Sequence, residues 1–444
     1  MGLTNPANTG NGTGLASREA VVRALESVLY ERNFLDDALE QHAAAIADQR
    51  DRAFVHLLAA TCLRRKGQIE QIIARYMDRP LDRRAGRTKL ILLAGAAQIL
   101  FLETGPHAAI STSVELAAAD RSSARFKSLV NALLHRIADD REALLADMPS
   151  ALTNLPHWLG KKLRADLGEK TALSCAQAHL VQPDLDLSVV DASHTAELEA
   201  AGGIRLPTGS IRFAAPYPAI PSLPGYAEGH WWVQDAAAAL PAKLLGDVTG
   251  RRVLDMCAAP GGKTLQLAAM GAKVTALDVS EARLEKVQEN LGRTGLSASC
   301  ITEDALSFEP EEPFDAILLD APCSATGTMR RHPELPWIRR EDDIRVLVKQ
   351  QRALLRHAAT LLKPGGNLVY AVCSLVAEEG TKQVQAFLNE NRQFDRVAIE
   401  PGQLGITADF ITKRGDLRTL PSMAIGSAER IDGFYAARLQ HRAP

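Results

Sequence analysis

Two cysteines in this chain stand where nucleophilic chemistry is expected. Cys323 follows Leu319-Asp320-Ala321-Pro322, and Cys373 follows Tyr370-Ala371-Val372. A thiolate is an effective nucleophile near neutral pH, and a carboxyl group beside it can hydrogen-bond or protonate a substrate. Asp320, Cys323 and Cys373 are therefore a candidate set for covalent catalysis. The bland alternative for a cysteine is a small buried hydrophobe. Two thiols at the ends of neighbouring strands of one sheet weigh against it. Upstream runs Asp255-Met256-Cys257-Ala258-Ala259-Pro260-Gly261-Gly262-Lys263-Thr264. Pro260, Gly261 and Gly262 make a turn of little bulk between a strand and a helix. Such a turn lets backbone N–H groups approach a ligand, and the helix N-terminus favours an anionic group. A Walker A loop would need glycine where Cys257 stands, and no G-x-G-x-x-G run occurs.

The elements that must position these residues alternate. Strands are expected at 252–254, 273–277, 299–301, 316–319, 367–372 and 434–439, with helices near 264–270, 281–291 and 341–362. This pattern predicts a mostly parallel sheet covered by helices on both faces, which binds ligands at the carboxyl ends of its strands. Asp278 ends the second strand, where an acidic residue can take ribose hydroxyls. It competes there with a helix-capping role, for which Ser280 is the other candidate. Asp304 follows the third strand and by itself reads as a turn residue.

Taken whole, the Cys-Ala-Ala-Pro-Gly-Gly-Lys-Thr string and the two cysteine motifs resemble the RNA cytosine-5 methyltransferases that use S-adenosylmethionine (SAM). The resemblance implies a SAM site from Cys257, Ala258, Ala259, Pro260, Gly261, Gly262, Lys263, Asp278, Asp304 and Asp320, with Asp304 on the adenine amine. It implies Cys373 as the nucleophile toward carbon 6 of cytosine, Asp320 as the group acting on the base, and Cys323 as the residue that assists product release. DNA cytosine-5 enzymes use the earlier Pro-Cys cysteine instead. One departure stands out: many relatives have Thr where this chain has Val372. After Cys323, the run Arg330-Arg331-His332-Pro333 leads to Trp337. Between Arg330 and Arg356 there are eight Lys or Arg against four Asp or Glu. Arg330, Arg331, His332 and Trp337 are the expected RNA contacts, cations for phosphates and an indole for stacking.

Residues 16–146 carry helical periodicity without a strand pattern. Ser17-Arg18-Glu19-Ala20, Asp51-Arg52-Ala53-Phe54, Ala97-Gln98-Ile99-Leu100-Phe101-Leu102 and Val130-Asn131-Ala132-Leu133-Leu134 are similar to the helical RNA-binding fold of the antitermination factor NusB. With 19 Lys or Arg against 17 Asp or Glu this stretch is barely basic. The local clusters are Arg64-Arg65-Lys66 and Arg83, Arg84, Arg87 and Lys89. The expected organisation is a disordered tail at 1–15, a NusB-like domain at 16–146, a small α+β subdomain at 150–228 and an α/β Rossmann-like methyltransferase core at 229–444. A NusB-like domain before this core is the arrangement of bacterial 16S rRNA cytosine-5 methyltransferases. A tRNA-modifying relative, or an RNA-binding antitermination or assembly factor without catalysis, is the alternative.

Bulk properties fit this reading. Hydrophobic residues make up 46% and charged residues 23% of the 444 residues, as in globular proteins. A net charge of -2 gives no argument for nucleic-acid binding from total charge. The six cysteines lack C-x-x-C spacing, so reduced cytoplasmic thiols and no metal are expected; a monomer is the expected state. The apolar run Leu90 to Leu102 is too short for a bilayer and reads as a buried helix, so no membrane partner is expected.

Overall fold

The computed structural model describes residues 11–81, 85–102 and 104–443. The chain forms two compact units: Met1–Lys161 with His332–Arg339, and Lys162–Arg331 with Arg340–Pro444.

The first unit is helical. It contains α1 (Asn11–Glu26), α2 (Leu35–Ala43), α3 (Gln49–Arg75), α4 (Thr88–Phe101), α5 (Pro106–Ala119), α6 (Lys127–Asp139) and α7 (Arg141–Ala146). Asp48 caps α3 by accepting from the N–H groups of Arg50 and Asp51. The apolar run seen in sequence is α4. Its residues from Leu90 to Leu100 are all buried, so it is the central helix of the unit rather than an amphipathic surface helix. Gly95 lets it pack closely: a Cβ there would meet Leu134 Cδ1 at 2.7 Å and Ser113 Oγ at 2.8 Å. Of the expected tail, residues 1–10 lie outside the described residues, and 11–15 begin α1. Among the described residues no helix is long and apolar enough to cross a membrane.

Helices α8 (His157–Leu167) and α9 (Glu169–His179) precede the small sheet. Its strands are β1 (Leu185–Val189), β2 (Ile204–Arg205), β3 (Ile211–Phe213) and β4 (Trp231–Val233), in order β2-β3-β1-β4 and antiparallel, with α10 (Thr195–Ala200) between β1 and β2. Leu185, Leu187, Ile211, Phe213 and Trp231 form its core. This sheet extends past residue 229, because β4 pairs with β1 through Trp231, Trp232 and Val233.

The large sheet follows α11 (Leu240–Lys243). Its elements in chain order are β5 (Arg252–Met256), α12 (Gly262–Ala269), β6 (Lys273–Asp278), α13 (Glu281–Thr294), β7 (Ser299–Thr302), β8 (Phe314–Asp320), α14 (Leu335–Ile338, part of the first unit), α15 (Glu341–Thr360), β9 (Leu362–Val372), α16 (Thr381–Glu390), β10 (Phe394–Arg396), β11 (Leu417–Arg418) and β12 (Tyr435–His441). The order is β10-β12-β9-β8-β5-β6-β7, with β11 on β12. Strands β5 to β9 pair in parallel, while β10, β11 and β12 are antiparallel additions. The strands alternate between two cores. Val253, Ala316, Leu318, Val369 and Ala371 face one. Leu254, Met256, Ile317, Leu319, Leu368, Tyr370 and Val372 face the other. Burial on both faces is why these strands read as continuous apolar runs. The chain leaves β5 toward β6 and returns on its other side as β8, so the topological switch lies at the carboxyl ends of β5 and β8.

Candidate active site

The sequence motifs meet at that switch. Past β5, Cys257 adopts a left-handed φ of 65°, which turns the chain out of the sheet. Gly261 follows at φ 102° and is the residue before α12, and a Cβ there would lie 2.9 Å from Val287. Glycine is thus required twice over at this position. Thr264 in the first turn of α12 donates to Asp255 Oδ2 at 2.6 Å. Asp255 is fully buried, and its Oδ1 has no hydrogen-bond partner among the described residues. Burial pushes its pKa up to about 7 despite the Thr264 bond. Burial, and then the charge of Asp278, pushes the Cys257 thiol up to about 12, so this cysteine serves by being small.

Asp278 is 3% exposed and ties the loop down: Oδ2 accepts from Ala259 N at 3.1 Å and Oδ1 from Ser280 N at 3.1 Å. Ser280 itself caps α13, accepting from Arg283 N. The two candidates for the cap are thereby separated, since Asp278 bonds the loop instead. Val279, directly after it, is an apolar side chain left 70% exposed. Asp304 is exposed, and its Oδ1 accepts from Leu306 N at 3.0 Å, a turn bond that leaves Oδ2 without a hydrogen bond among the described residues.

At the end of β8, Asp320 accepts from Lys263 Nζ at 2.6 Å. Lys263 is 11% exposed. Burial lowers its pKa, but the Asp320 charge and hydrogen bond, with Cys373 beyond, outweigh that and raise it, so it is held as an ammonium. Asp320 pairs in register with Ala371 of β9. The two thiols therefore leave adjacent parallel strands together, and Cys323 Sγ lies 3.4 Å from Cys373 Sγ. The hydrogen bond to Cys373, then burial, holds the Cys323 thiol well above the usual cysteine range. Either sulfur can donate to the other, and an S–H on Cys323 would be placed to stabilise a thiolate on Cys373.

A buried polar network behind the thiols was not legible in the sequence. Glu379, 0% exposed, accepts from Ser324 N at 2.9 Å, Ser324 Oγ at 2.5 Å, Ser374 Oγ at 2.6 Å and Gln351 Nε2 at 3.0 Å. Gln351 also donates to Pro322 O at 2.9 Å, and Tyr370 Oη to Glu379 O at 2.6 Å. The residue after each thiol is thus pinned to one carboxylate. The only sequence hint was an acidic residue shortly after Cys373-Ser374.

The expected RNA patch needs correction. Arg330 is 2% exposed and 3.7 Å from Asp432. Arg331 bonds Asp432 at 2.8 Å and Asp235 at 2.6 Å. Arg330 is buried and Arg331 half-buried, and both are held in ion pairs rather than forming an open phosphate surface. Trp337 is half-buried in the first unit, where its indole N–H donates to Leu63 O at 2.9 Å and Lys66 Nζ lies 4.4 Å from its ring centroid. It is a packing residue, not a free stacking platform. His332 is half-buried and lies 3.5 Å from Glu334. Of the clusters in the helical unit, Arg64 is buried and Arg65 covers Phe101. Arg87 is taken up by Glu19, Glu26 and Asp120. Arg83 and Arg84 lie outside the described residues.

Fold and site together define a methyltransferase-type α/β domain joined to a NusB-type helical unit. Residues 242–440 match the family described as 16S rRNA methyltransferase RsmB/F, and residues 15–139 match the NusB family. The chain is 35% identical over 443 residues to ribosomal RNA small subunit methyltransferase B of Salmonella arizonae, covering 95% of this chain and 98% of that one. It is 35% identical over 445 residues to the protein of the same name from Klebsiella pneumoniae, covering 96% and 98%. The crystal structure of PH0851 has the same fold, with a TM-score of 0.72 at 24% identity over 98% of this chain and 99% of that one. A methyltransferase homolog from Pyrococcus horikoshii matches with a TM-score of 0.54 at 28% identity, over 64% of this chain and 94% of that one. This chain belongs to the ribosomal RNA small subunit methyltransferase B family.

Proposed function

We propose that this enzyme methylates carbon 5 of one cytosine in 16S rRNA, with SAM as the donor. The observation that carries the reading is the meeting of Cys373, Cys323 and the Lys263–Asp320 pair at the ends of β8 and β9. The residues of the loop fit SAM. Small side chains and the first turn of α12 leave room for the amino-acid end. Asp278, at the end of β6, is assigned to the ribose hydroxyls through the remaining lone pairs of oxygens that already accept from Ala259 N and Ser280 N, the exposed Val279 to an apolar face of the base, and the outer oxygen of Asp304 to an exocyclic amine. When bound, SAM supplies an electrophilic methyl group.

The chain's own residues do the rest. The Cys373 thiolate adds to carbon 6 of the flipped-out cytosine, forming an S–C bond and making carbon 5 nucleophilic. Asp320, oriented by Lys263, accepts from nitrogen 3 of the base when that nitrogen carries a proton, which favours the addition. After carbon 5 takes the methyl group, its proton passes to water, the C–H electron pair forms the carbon 5–carbon 6 double bond, and the S–C6 bond breaks to return the Cys373 thiolate, with Cys323 assisting that release. The helical unit, residues 16–146, is proposed to help hold the RNA. Tritiated-methyl transfer from SAM to 16S rRNA, with bisulfite sequencing of the product, tests the reading. Cys373→Ala is expected to abolish transfer and keep SAM binding. Transfer retained in Cys373→Ala but lost in Cys323→Ala would reverse the two thiol roles.

A further inference from the structure

Of the cations expected to meet RNA, Arg330 is buried and Arg331 is tied to Asp235 and Asp432, which leaves open where the phosphates of the substrate run. A groove of about 550 Å³ lies in the second unit between α16 and the loop before β11. Lys382, Gln385 and Asn389 line one side, and Thr412, Lys413 and Arg414 the other. Three cations, two carboxamides and threonine hydroxyls face it, and no carboxylate lines it. That segregation stands out in a chain with 51 basic and 53 acidic residues. Glu378 lies 3.7 Å from Lys382 but is held by Lys162 at 2.9 Å, and Asp416 behind the turn is taken up by Tyr435 and Arg396.

The groove is firmly mounted. Thr412 N donates to Asp416 O at 2.8 Å and Gly415 N to Thr412 O at 2.9 Å, so Lys413 and Arg414 sit on a tight turn. Arg414 reaches across and donates to Gln385. Both walls continue into the active site. Thr381 opens α16 two residues after Glu379, which pins the residues following both thiols. Past the turn, Arg418 of β11 donates to the carbonyls of Ser374 at 2.9 Å and Leu375 at 2.7 Å.

We propose that this groove carries the RNA backbone next to the target cytosine. It has no aromatic residue to stack a base, so it would track phosphates without reading sequence. The inference rests on the RNA-substrate reading above.

The test uses the full-length protein and the Lys382→Ala/Lys413→Ala/Arg414→Ala variant with a 16S rRNA transcript. The KM for RNA is expected to rise about tenfold near physiological salt. The plot of log affinity against log salt should become shallower by about 2, because each lost single-strand phosphate contact removes about 0.7. SAM affinity and kcat at saturating RNA should stay as in the wild type. Lys413→Glu against Lys413→Arg repeats the test with single changes should the triple variant fold poorly: the first should weaken RNA binding and the second should not. An unchanged KM and salt slope overturn the proposal. So does unchanged RNA binding with loss of an acidic protein partner, which would reassign the groove to that partner. A wild-type enzyme that transfers no methyl to RNA would instead overturn the substrate reading itself.

Discussion

Asp255→Asn should change stability with a sign that depends on pH. In the unfolded chain this carboxyl ionises near 3.8, the ordinary value for Asp, whereas burial holds it protonated in the fold up to about 7. Between those values the native state binds the extra proton, so native stability falls as pH rises. At about 1.36 kcal/mol per pH unit, the loss from pH 5 to 7 is on the order of 3 kcal/mol. Asparagine removes this dependence. It keeps an acceptor for Thr264 but points an amide N–H₂ at the place where Oδ1 has no partner, at a cost of about 1–3 kcal/mol. The variant should therefore be less stable than wild type near pH 5 and equal or more stable at pH 8. Urea midpoints of the SAM-free proteins across this range, taken as a difference, cancel the other titrating groups. A difference that stays flat from pH 5 to 8 would refute the argument, because Asp255 would then titrate alike in both states.

Cys323→Ser should trap a covalent protein–RNA adduct, seen as a retarded band on a denaturing gel; active protein without the band would remove its release role. Asp278→Ala should weaken SAM by about 1–3 kcal/mol in calorimetry. Helix α13 keeps its Ser280 cap, so the loss should appear without a matching drop in helicity. Glu379→Gln should lower kcat while SAM affinity holds, since it touches the thiol loops and not the cofactor loop; equal turnover would make the network purely structural. Arg331→Ala should cost about 3–5 kcal/mol of stability by stranding Asp235 and Asp432, with any RNA effect following the loss of fold. Weakened RNA binding at unchanged stability would restore it as a phosphate contact.

The parallel sheet and its loops were legible because burial on two faces writes long apolar runs, and because Gly261 and the small residues around it have few other uses. The thiols were legible from their place after two such runs. Charge was misleading. Arg330 and Arg331 look like a surface patch in one dimension, but their partners Asp235 and Asp432 lie far off in the chain, and only folding brings them together. Glu379 was hidden for the same reason, since its value lies in four donors from three segments. Val372 in place of Thr also became clear only in the structure. It is fully buried in the apolar core that holds Leu254 and Tyr370, against which Cys323 also packs, so a methyl group suits the position and a hydroxyl there would need a buried partner.

The in-register pairing of Asp320 with Ala371 has a bearing on how this enzyme can vary. The spacing of the two thiols is set by counting residues along β8 and β9 and through the short turns that follow, where Glu379 holds Ser324 and Ser374. Inserting or deleting one residue in either strand would slide its thiol by about 3.3 Å and turn every following side chain to the opposite face. Composition along these strands can drift, as Val372 illustrates, while their length is locked. Related chains that keep the chemistry should therefore accept gaps in the connecting segments but none between residue 316 and Cys323, or between residue 367 and Cys373.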